Sequence, residues 1–290
     1  MRTSHGIWRV REGIIITLED AEGKVARGEI APIPWFGSET IAKARQFCQQ
    51  QGNTIDSETI SQISARLPAC QFGFESALLN IQQKLEPVDE DLFDYCYLLP
   101  TGKQVLEEST IDENKGQTQS TFKWKIGIEE VATEIAIAKQ LMTKLPLNSQ
   151  LRLDANGGLN LEQARRWLEF AQNYDIIEFI EQPLPPSQFQ QMMELSKTYS
   201  TPLALDESVT NISDLQKCYE RGWRDVFVIK CAIAGFPSRL LSFAKEHDLD
   251  LVFSSVFETS IGRQTALQLA DKLGSARSLG FGVKHWFSNC

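Results

Sequence analysis

Six charged side chains recur along the chain at a spacing that would bring them into one reactive site. They are three lysines and three carboxylates: Lys123, Lys125, Asp154, Glu181, Asp206 and Lys230. The intervals from 125 to 154, 154 to 181, 181 to 206 and 206 to 230 are 29, 27, 25 and 24 residues, each about one strand–helix repeat of a parallel barrel. Because the active sites of such barrels lie at the carboxyl ends of the strands, the spacing predicts one shared site.

The three carboxylates are candidate metal ligands. Asp154, Glu181 and Asp206 each end an apolar run, in LRLD, EFIE and LALD. Adjacent strands lie ~4.8 Å apart, so three such charges in a partly dry pocket repel one another unless a cation lies between them. Donors that are all oxygen atoms favour Mg²⁺ or Mn²⁺. A single carboxylate at a strand end is more often a cap for the next helix, but three in register, followed by a lysine, favour a metal site.

The lysines are candidates for acid–base chemistry. Lys123 and Lys125 are separated by one residue, so strand alternation points both to the same side. A lysine in a pocket beside other cations loses its proton more easily and can act as a base near neutral pH. The alternative is a pair of solvated lysines on an edge strand. That alternative does not explain Lys230, which stands in the apolar run VFVIKCAIAG and would be costly to bury without a partner.

The elements that would position these residues alternate between β-prone and helical runs. Amphipathic helical stretches separate the segments TFKWKIGI, LRLDANG, IIEFIEQP, PLALDES, DVFVIKCAIAG and DLVFSSV, which is the pattern of parallel strands with helical crossovers. With YCYLLP before them and FGVKHWF after them, about eight strands are expected, near the lower size limit of a (β/α)₈ barrel. An α/β barrel is the first prediction, and an open doubly wound sheet is the second. The polar segment 109–120 is expected to be a loop in place of the first helix.

The N-terminal part of the chain has a different pattern, which predicts a small α+β domain. The polar turn at 20–23 separates two β-prone runs and predicts a hairpin. Three helices are expected to follow, over 39–51, 57–67 and 72–85. Pro68 is expected to end the second helix, and Pro87 lies in an acidic stretch that is a candidate linker. The predicted division of the chain is into domains 1–90 and 91–290.

The composition limits the class of protein. The chain has 290 residues, 42% of them apolar, and 29 basic against 38 acidic residues give a net charge of −9, so a nucleic acid partner is not expected. No apolar stretch reaches the ~18 residues of a membrane span, and the N-terminal sequence lacks the pattern of a secretory signal. Six scattered cysteines without C-x-x-C spacing predict reduced thiols and a cytoplasmic location. With only three histidines, none of them in a convincing motif, catalysis is expected to rest on lysines and carboxylates.

Several segments resemble motifs of the enolase superfamily, specifically its muconate-lactonizing-enzyme subgroup. FKWKIG resembles the K-x-K strand, VIKCAIAGF resembles the strand with the opposed lysine, and LRLDAN, EFIEQP and LALDES resemble the three metal-ligand strands. GEIAPIPWFGSET resembles a capping-domain loop, and QFGFESALLNI and SSVFETSIG are similar to motifs of the o-succinylbenzoate synthase family. The resemblance spans roughly residues 28 to 265.

This resemblance implies a modified TIM barrel, (β/α)₇β, beneath an N-terminal α+β capping domain. It implies one bound Mg²⁺, with Mn²⁺ as the alternative, and the implied ligands are Asp154, Glu181 and Asp206. A proton α to a carboxylate is too weakly acidic for lysine unless a cation stabilises the charge that develops on the carboxylate oxygens. By resemblance, Lys125 removes that proton and returns it to the leaving hydroxyl, Lys123 assists Lys125, and Lys230 keeps its charge near the enediolate intermediate on the opposite face.

The resemblance also implies contacts to the substrate. The implied binding residues are Arg152, Asn156, Ser254, Ser255 and Gly262, together with the capping segment 33–40, whose aromatic residues are expected to pack as a lid. The implied reaction is dehydration of 2-succinyl-6-hydroxy-2,4-cyclohexadiene-1-carboxylate to o-succinylbenzoate, a step toward menaquinone or phylloquinone. The expected partner is this small carboxylate, and the oligomeric state, a monomer included, is left open.

Three alternative functions remain open from the residues. An N-acylamino acid racemase or dipeptide epimerase of the same superfamily would use Lys125 and Lys230 as two bases, although the last strand lacks the Asp-x-Asp of dipeptide epimerases. A Schiff-base aldolase using Lys230 would leave the three carboxylates unexplained. A structural cation site in a binding protein would not require paired lysines.

Overall fold

The N-terminal region is a hairpin followed by three helices. A computed structural model describes residues 2–3, 6–8, 10–107, 111 and 120–282. Its first elements are the paired strands β1 (Arg2–Thr3) and β2 (Gly6–Ile7), the hairpin strands β3 (Ile14–Glu19) and β4 (Val25–Ile30), and the helices α1 (Ile41–Gln50), α2 (Ser57–Ser61) and α3 (Pro68–Ile81). The hairpin is antiparallel and pairs Glu19 with Val25, which confirms the predicted hairpin and its turn.

Three of the predicted helix boundaries were wrong. α3 begins at Pro68 rather than at residue 72 and ends at Ile81 rather than at residue 85, and α2 ends at Ser61 rather than at residue 67. Pro68 starts a helix instead of ending one, because the first helical position needs no backbone N–H. Glu39 supports this start, since its carboxylate accepts from the backbone N–H groups of Ala69 and Cys70 at 3.1 and 2.8 Å.

The rest of the chain alternates between strands and helices. The strands are β5 (Tyr95–Leu98), β6 (Thr121–Lys125), β7 (Gln150–Asp154), β8 (Ile177–Glu181), β9 (Leu203–Leu205), β10 (Val226–Ile229), β11 (Leu251–Phe253) and β12 (Leu279–Gly282). The helices are α4 (Val131–Lys144), α5 (Leu161–Ala171), α6 (Phe189–Thr198), α7 (Ile212–Glu220), α8 (Cys231–Ala234), α9 (Pro237–His247) and α10 (Ser260–Leu273). After β5 the described residues form a 3₁₀ helix, Gly102–Glu107, and most of the predicted loop at 109–120 lies outside them. None of the helices in the described ranges is long and apolar enough to cross a bilayer.

The eight strands close into a parallel barrel. Each strand from β5 to β10 pairs in parallel with the next in chain order, and β12 returns to pair with β5. A parallel bridge between Ser254 and Gly280 joins the two remaining edges. An open doubly wound sheet would keep those edges apart, so the closure confirms the barrel and rules out the open sheet.

Apolar side chains fill the barrel below the strand ends. Phe179, Ala204, Val226, Val228 and Val252 form one buried cluster contributed by four adjacent strands. Strand alternation places residues 179 and 181 on the same face of β8. The apolar cluster therefore supports the layer of charged side chains at the carboxyl ends of the strands.

Polar caps fix where the crossover helices begin. Glu130 caps α4, and Asn160 forms a capping box with Gln163 at the start of α5. The side chains of Asn211 and Thr259 each accept from a backbone N–H group in the first turn of α7 and α10. Since each cap satisfies backbone N–H groups that the helix leaves unpaired, the loops before these four helices end at defined residues.

The predicted division of the chain near residue 90 stays a proposal. It falls at the 3₁₀ helix Glu90–Leu92, between α3 and β5. A division at this point would leave the hairpin with the N-terminal helices and keep the barrel sheet whole.

Candidate active site

A cavity of about 300 Å³ opens at the carboxyl ends of the barrel strands. Ten of the eleven predicted site residues line it: Lys123, Lys125, Arg152, Asp154, Asn156, Glu181, Asp206, Lys230, Ser254 and Ser255. The eleventh, Gly262, is not part of the lining and lies in α10, where its N–H donates to Glu29. The structure thus brings ten of these residues into one cavity, while their roles stay predictions.

Three buried carboxylates converge on this cavity. Asp154 and Glu181 are register partners at the ends of neighbouring strands, and Asp206 directly follows β9. The three residues are only 1%, 1% and 3% exposed, respectively. Because buried ionised carboxylates are costly unless they are paired, positive charge must accompany them.

Lysine ammonium groups supply part of that charge. Nζ of Lys123 lies 2.8 Å from Oδ2 of Asp154 and 2.7 Å from Oε1 of Glu181. The ammonium group of Lys230 contacts the carboxylate of Asp206. Within the described ranges no three His, Cys, Asp or Glu side chains lie close enough together to hold a metal ion as they stand. Lys123 instead forms ion pairs with two of the predicted ligands, Asp154 and Glu181.

The pKa values indicate that this cluster is short of positive charge. Burial and the charge of Asp154 raise the pKa of Glu181 to about 7, against the opposing effect of Lys123. Burial also raises the pKa of Asp206, although Lys230 opposes it. Burial acts to lower the pKa of Lys123, but the charges of Asp154 and Glu181 outweigh burial and hold that pKa well above its usual value.

The donor set fits a divalent cation that prefers oxygen. Asp154, Glu181 and Asp206 offer carboxylate oxygens from three consecutive strands, and all three face the same cavity. Mg²⁺ and Mn²⁺ favour such ligands. Oε2 of the neighbouring Glu207 is buried and has no hydrogen-bond partner among the described residues, which is a second sign of uncompensated negative charge. The three predicted ligands therefore have suitable chemistry for such a cation.

Lys125 is held by an amide rather than by a carboxylate. Its Nζ donates to Oδ1 of Asn156 at 2.8 Å. Nδ2 of Asn156 donates in turn to Oδ2 of Asp154 and Oε1 of Glu207, at 3.2 and 3.1 Å. Asn156 has a φ of 45°, a left-handed conformation that asparagine tolerates better than most residues. Asn156 thus fixes Lys125 beside the carboxylates without an ion pair.

Phe36 of the N-terminal region contacts Lys230, on the opposite side of the cavity from Lys125. Nζ of Lys230 lies 3.9 Å from the centroid of the Phe36 ring, within the range of a cation–π interaction. Gly37, with a φ of 98°, packs so closely on Thr210 that a Cβ would lie 2.9 Å from its Oγ1. The sequence predicted lid packing for this segment, and its aromatic motif carried no sign of the contact with Lys230.

Arg152 lies at the level of Lys123 in the strand register, below Lys125 and Asp154. It precedes Asp154 by two residues on β7 and therefore shares its face. Its Nε donates to Oε2 of Glu178 at 2.6 Å, and its Nη1 donates to the carbonyl of Ser278 at 2.8 Å. The guanidinium carbon lies 4.9 Å from the centroid of the Phe179 ring. These contacts make Arg152 part of an internal ion-pair network, and its contact with substrate stays a prediction.

Part of the cavity wall was not among the predicted site residues. It includes Leu98, Leu99, Pro100, Thr101, Gln104 and Phe257. The sequence could have indicated Leu98, because it lies in YCYLLP at the end of a predicted barrel strand, where the active sites of this fold form. Phe257 gave no such signal, since its place depends on a left-handed backbone with a φ of 59°.

The fold and the cavity together define the class of protein. It is a parallel barrel enzyme with lysines on two sides of a buried carboxylate cluster, next to an N-terminal α+β region. Residues 110–286 match the family model described as enolase C-terminal domain-like, and residues 5–81 match the model described as MenC, N-terminal domain.

Individual relatives narrow this class. The chain is 40% identical over 293 residues to o-succinylbenzoate synthase of Thermosynechococcus vestitus (strain NIES-2133 / IAM M-273 / BP-1), which covers 99% of this chain and 89% of the relative. It is 29% identical over 280 residues to o-succinylbenzoate synthase of Yersinia enterocolitica serotype O:8 / biotype 1B, with 94% and 82% covered. The chain belongs to the o-succinylbenzoate synthase family of the enolase superfamily, and it is an enzyme, a metal-dependent lyase.

Solved structures agree with this family. The crystal structure of o-succinylbenzoate synthase from Thermosynechococcus elongatus BP-1, complexed with Mg in the active site, has 39% sequence identity and a TM-score of 0.91, covering 99% of this chain and 90% of that chain. A dipeptide epimerase from Enterococcus faecalis V583 has a TM-score of 0.79 at 21% identity, with 94% and 85% covered. The second similarity extends to the fold alone.

Proposed function

We propose that this chain catalyses the Mg²⁺-assisted dehydration of 2-succinyl-6-hydroxy-2,4-cyclohexadiene-1-carboxylate to o-succinylbenzoate, in the cytoplasm, as a step toward menaquinone or phylloquinone. The observation that carries the proposal is that Lys125 and Lys230 line one cavity with the three buried carboxylates. The relative of this name that is 40% identical over nearly the whole chain supports the choice of reaction. Mg²⁺ is proposed because the related structure holds Mg, and Mn²⁺ is the alternative.

The cation would be held by Asp154, Glu181 and Asp206. When bound, a divalent cation stabilises the negative charge that develops on the substrate carboxylate oxygens as the α proton leaves. The three side chains are 1–3% exposed, and electrostatic interactions with buried groups are screened less by water than those at the surface.

Lys125 is the proposed base and, later, the proposed acid. As a neutral amine its Nζ accepts the proton from the α carbon, and as an ammonium group it returns that proton to the leaving hydroxyl, which departs as water. One C–H bond and one C–O bond break, one C=C bond forms, and the ring becomes aromatic, so no further reactant is needed. Asn156 holds Nζ at 2.8 Å, and this fixed position lets one atom serve both steps.

Lys230 and Lys123 are proposed to act through their charges. Lys230 contacts Asp206 and the Phe36 ring, so its ammonium group is oriented toward the cavity as a fixed positive charge near the substrate ring. Lys123 contacts Asp154 and Glu181 and balances part of their charge next to Lys125.

Racemisation of an N-acylamino acid is the second candidate function. The observation that favours it is the presence of Lys125 and Lys230 on opposite walls of the cavity, since one lysine could remove a proton and the other could deliver one to the opposite face. In both functions the three carboxylates would hold the cation. In the dehydratase Lys230 stays a fixed charge, whereas in the racemase it would transfer a proton.

A substrate comparison separates these candidates. The purified protein would be assayed spectrophotometrically with the cyclohexadiene acid, and in parallel with N-succinyl amino acids and dipeptides, with EDTA and with added Mg²⁺. We expect dehydration that EDTA abolishes and Mg²⁺ restores. Much faster turnover of an N-succinyl amino acid or a dipeptide would overturn the assignment in favour of the racemase or epimerase.

A further inference from the structure

Glu29 is a buried carboxylate of the N-terminal region that bonds to the barrel. It lies on β4 and is 3% exposed. Its Oε2 accepts from the backbone N–H groups of Thr259 and Gly262, each at 2.9 Å, and from Oγ1 of Thr259 at 2.7 Å. Oε1 also accepts from the N–H of Thr259 at 2.9 Å. All of these donors lie at the start of α10, where a carboxylate is favoured by the unpaired N–H groups of the helix.

Close packing of glycines places Glu29 at that position. A Cβ at Gly28 would overlap the carbonyl of Gly73, and a Cβ at Gly73 would lie 2.9 Å from the carbonyl oxygen of Glu29. At Gly262 a Cβ would lie 2.8 Å from Oε2 of Glu29. Glycine at these positions therefore lets α3 approach β4 and lets the carboxylate reach the start of α10.

Residues 255–259, which we call the cavity segment, directly precede that helix. Ser255 and Phe257 line the cavity. Oε2 of Glu258 accepts from Oγ of Ser255 at 3.0 Å and from the N–H of Val256 at 2.6 Å, and Oγ of Ser255 accepts from the N–H of Phe257 at 2.8 Å. Phe257 has a φ of 59°, which a bulky residue adopts only when its surroundings hold it there.

The N-terminal region also contacts the cavity segment at its other end. Nε of Arg11 donates to the carbonyl of Val256 at 2.9 Å, and its guanidinium donates to the carbonyl of Pro32 at 3.0 Å. The ring of Trp8 packs edge-on against the ring of Phe257, with centroids 5.6 Å apart. Arg11 and Glu29 therefore hold the cavity segment between them.

We propose that Glu29 is a positioning residue for substrate binding, because by fixing Thr259 and Gly262 it holds the Phe257 ring in the cavity wall. This inference rests on the proposed function, since its effect is on the binding of that substrate. Glu29 lies outside the cavity lining, so its loss affects the shape of the binding wall rather than proton transfer.

Two other glutamates of the N-terminal region provide matched controls. Glu39 is 4% exposed and accepts from Ala69 and Cys70 within its own region. Glu75 accepts from the N–H and Oγ of Ser238, at 2.9 and 2.7 Å, and so joins α3 to the start of α9. Neither glutamate contacts the cavity segment through these bonds, although both cap a helix as Glu29 does.

Steady-state kinetics of the full chain test the proposal. Glu29→Gln is expected to raise KM for the cyclohexadiene acid about tenfold with kcat nearly unchanged, as follows from losing charge-assisted bonds that shape only the binding wall. Glu39→Gln and Glu75→Gln, measured where all variants are folded, are expected to leave KM within about twofold. In a Phe257→Ala background, Glu29→Gln is expected to add no further rise in KM, because both changes act through the same ring.

Three results would overturn the positioning role. They are an unchanged KM in Glu29→Gln, an equal rise in Glu75→Gln, and the same rise whether or not Phe257 is present. If Glu29→Gln does not fold, Thr259→Val removes the hydroxyl that donates to Glu29 and that also accepts from the N–H of Ile261, and the same direction and the same double-variant result are expected of it. A wild-type protein that does not convert the cyclohexadiene acid at all would refute the proposed function, and this inference with it, and that result is distinct from the other three.

Discussion

Lys125 and Lys230 face each other across the barrel. The strand of Lys125, β6, and the strand that Lys230 follows, β10, are separated by three strands in each direction around the ring. Asn156 holds Lys125 through a neutral amide, whereas Lys230 is paired with Asp206 and covered by Phe36. The two lysines therefore lie in different surroundings, and this difference is our basis for proposing proton transfer by Lys125 and a fixed charge at Lys230.

Removal of the Lys125 amine is expected to stop turnover without unfolding the protein. Lys125→Ala should lower kcat by about 10³-fold, within the range for loss of a general acid–base group, because no other lysine of the cavity is held by Asn156. The measurement is the dehydration assay, with circular dichroism to verify folding. Lys139→Ala, an exposed change on α4, is the control and should keep full activity. Near-normal turnover by Lys125→Ala would contradict the assignment.

The side chain of Asn156 can be removed at little cost to the backbone. Its φ of 45° suits glycine, so Asn156→Gly removes chiefly the amide that positions Lys125. A hydrogen bond to a charged group is worth roughly 1.5–3 kcal/mol, so kcat is expected to fall about ten- to a hundredfold. Asn148→Gly is the matched control, because Asn148 is exposed and has a φ of 62°. Equal kcat values in the two variants would show that Asn156 does not position Lys125.

The carboxylate and lysine positions were predictable because parallel strands turn sequence spacing into spatial register. Asp154 and Glu181 lie opposite each other in adjacent strands, as the recurrence of about one strand–helix repeat between them predicts. The contact of Phe36 with Lys230 and that of Glu29 with Thr259 were not predictable. Each joins segments about 200 residues apart, and such contacts depend on how two regions pack rather than on a local pattern. The support that Glu39 gives to the helix start at Pro68 was also not predictable, because Glu39 lies about 30 residues earlier in the chain.

Binding of Mg²⁺ is expected to stabilise the fold as well as support catalysis. A ligand that binds only the folded state adds about 2.7 kcal/mol to the unfolding free energy at 100 times its Kd. Urea unfolding with EDTA and with Mg²⁺ measures this difference. Glu181→Gln should lose most of it, since one of the three proposed ligands is gone, while Glu194→Gln, an exposed change on α6, should keep it. Identical unfolding of the wild type with EDTA and with Mg²⁺ would count against the proposed ligands.

Stability of the barrel interior is expected to depend on the pairing of Arg152 with Glu178. Arg152 is 2% exposed, and Arg277 shares the same carboxylate through Nη1 at 2.5 Å. Glu178→Ala leaves a buried guanidinium without its counter-charge, which should cost about 3–5 kcal/mol of unfolding free energy.

The matched control for this change is Asp250→Ala. This change removes the other carboxylate partner of Arg277. The side chain of Asp250 is 42% exposed, and a surface ion pair of this kind is worth at most about 1 kcal/mol. Adding Arg152→Met to Glu178→Ala should recover part of the lost stability, because the buried charge is then absent. The measurement is urea unfolding of the wild type, Glu178→Ala, Asp250→Ala and the double variant. Equal losses of unfolding free energy for Glu178→Ala and Asp250→Ala would mean that the buried charge of Arg152 does not depend on Glu178.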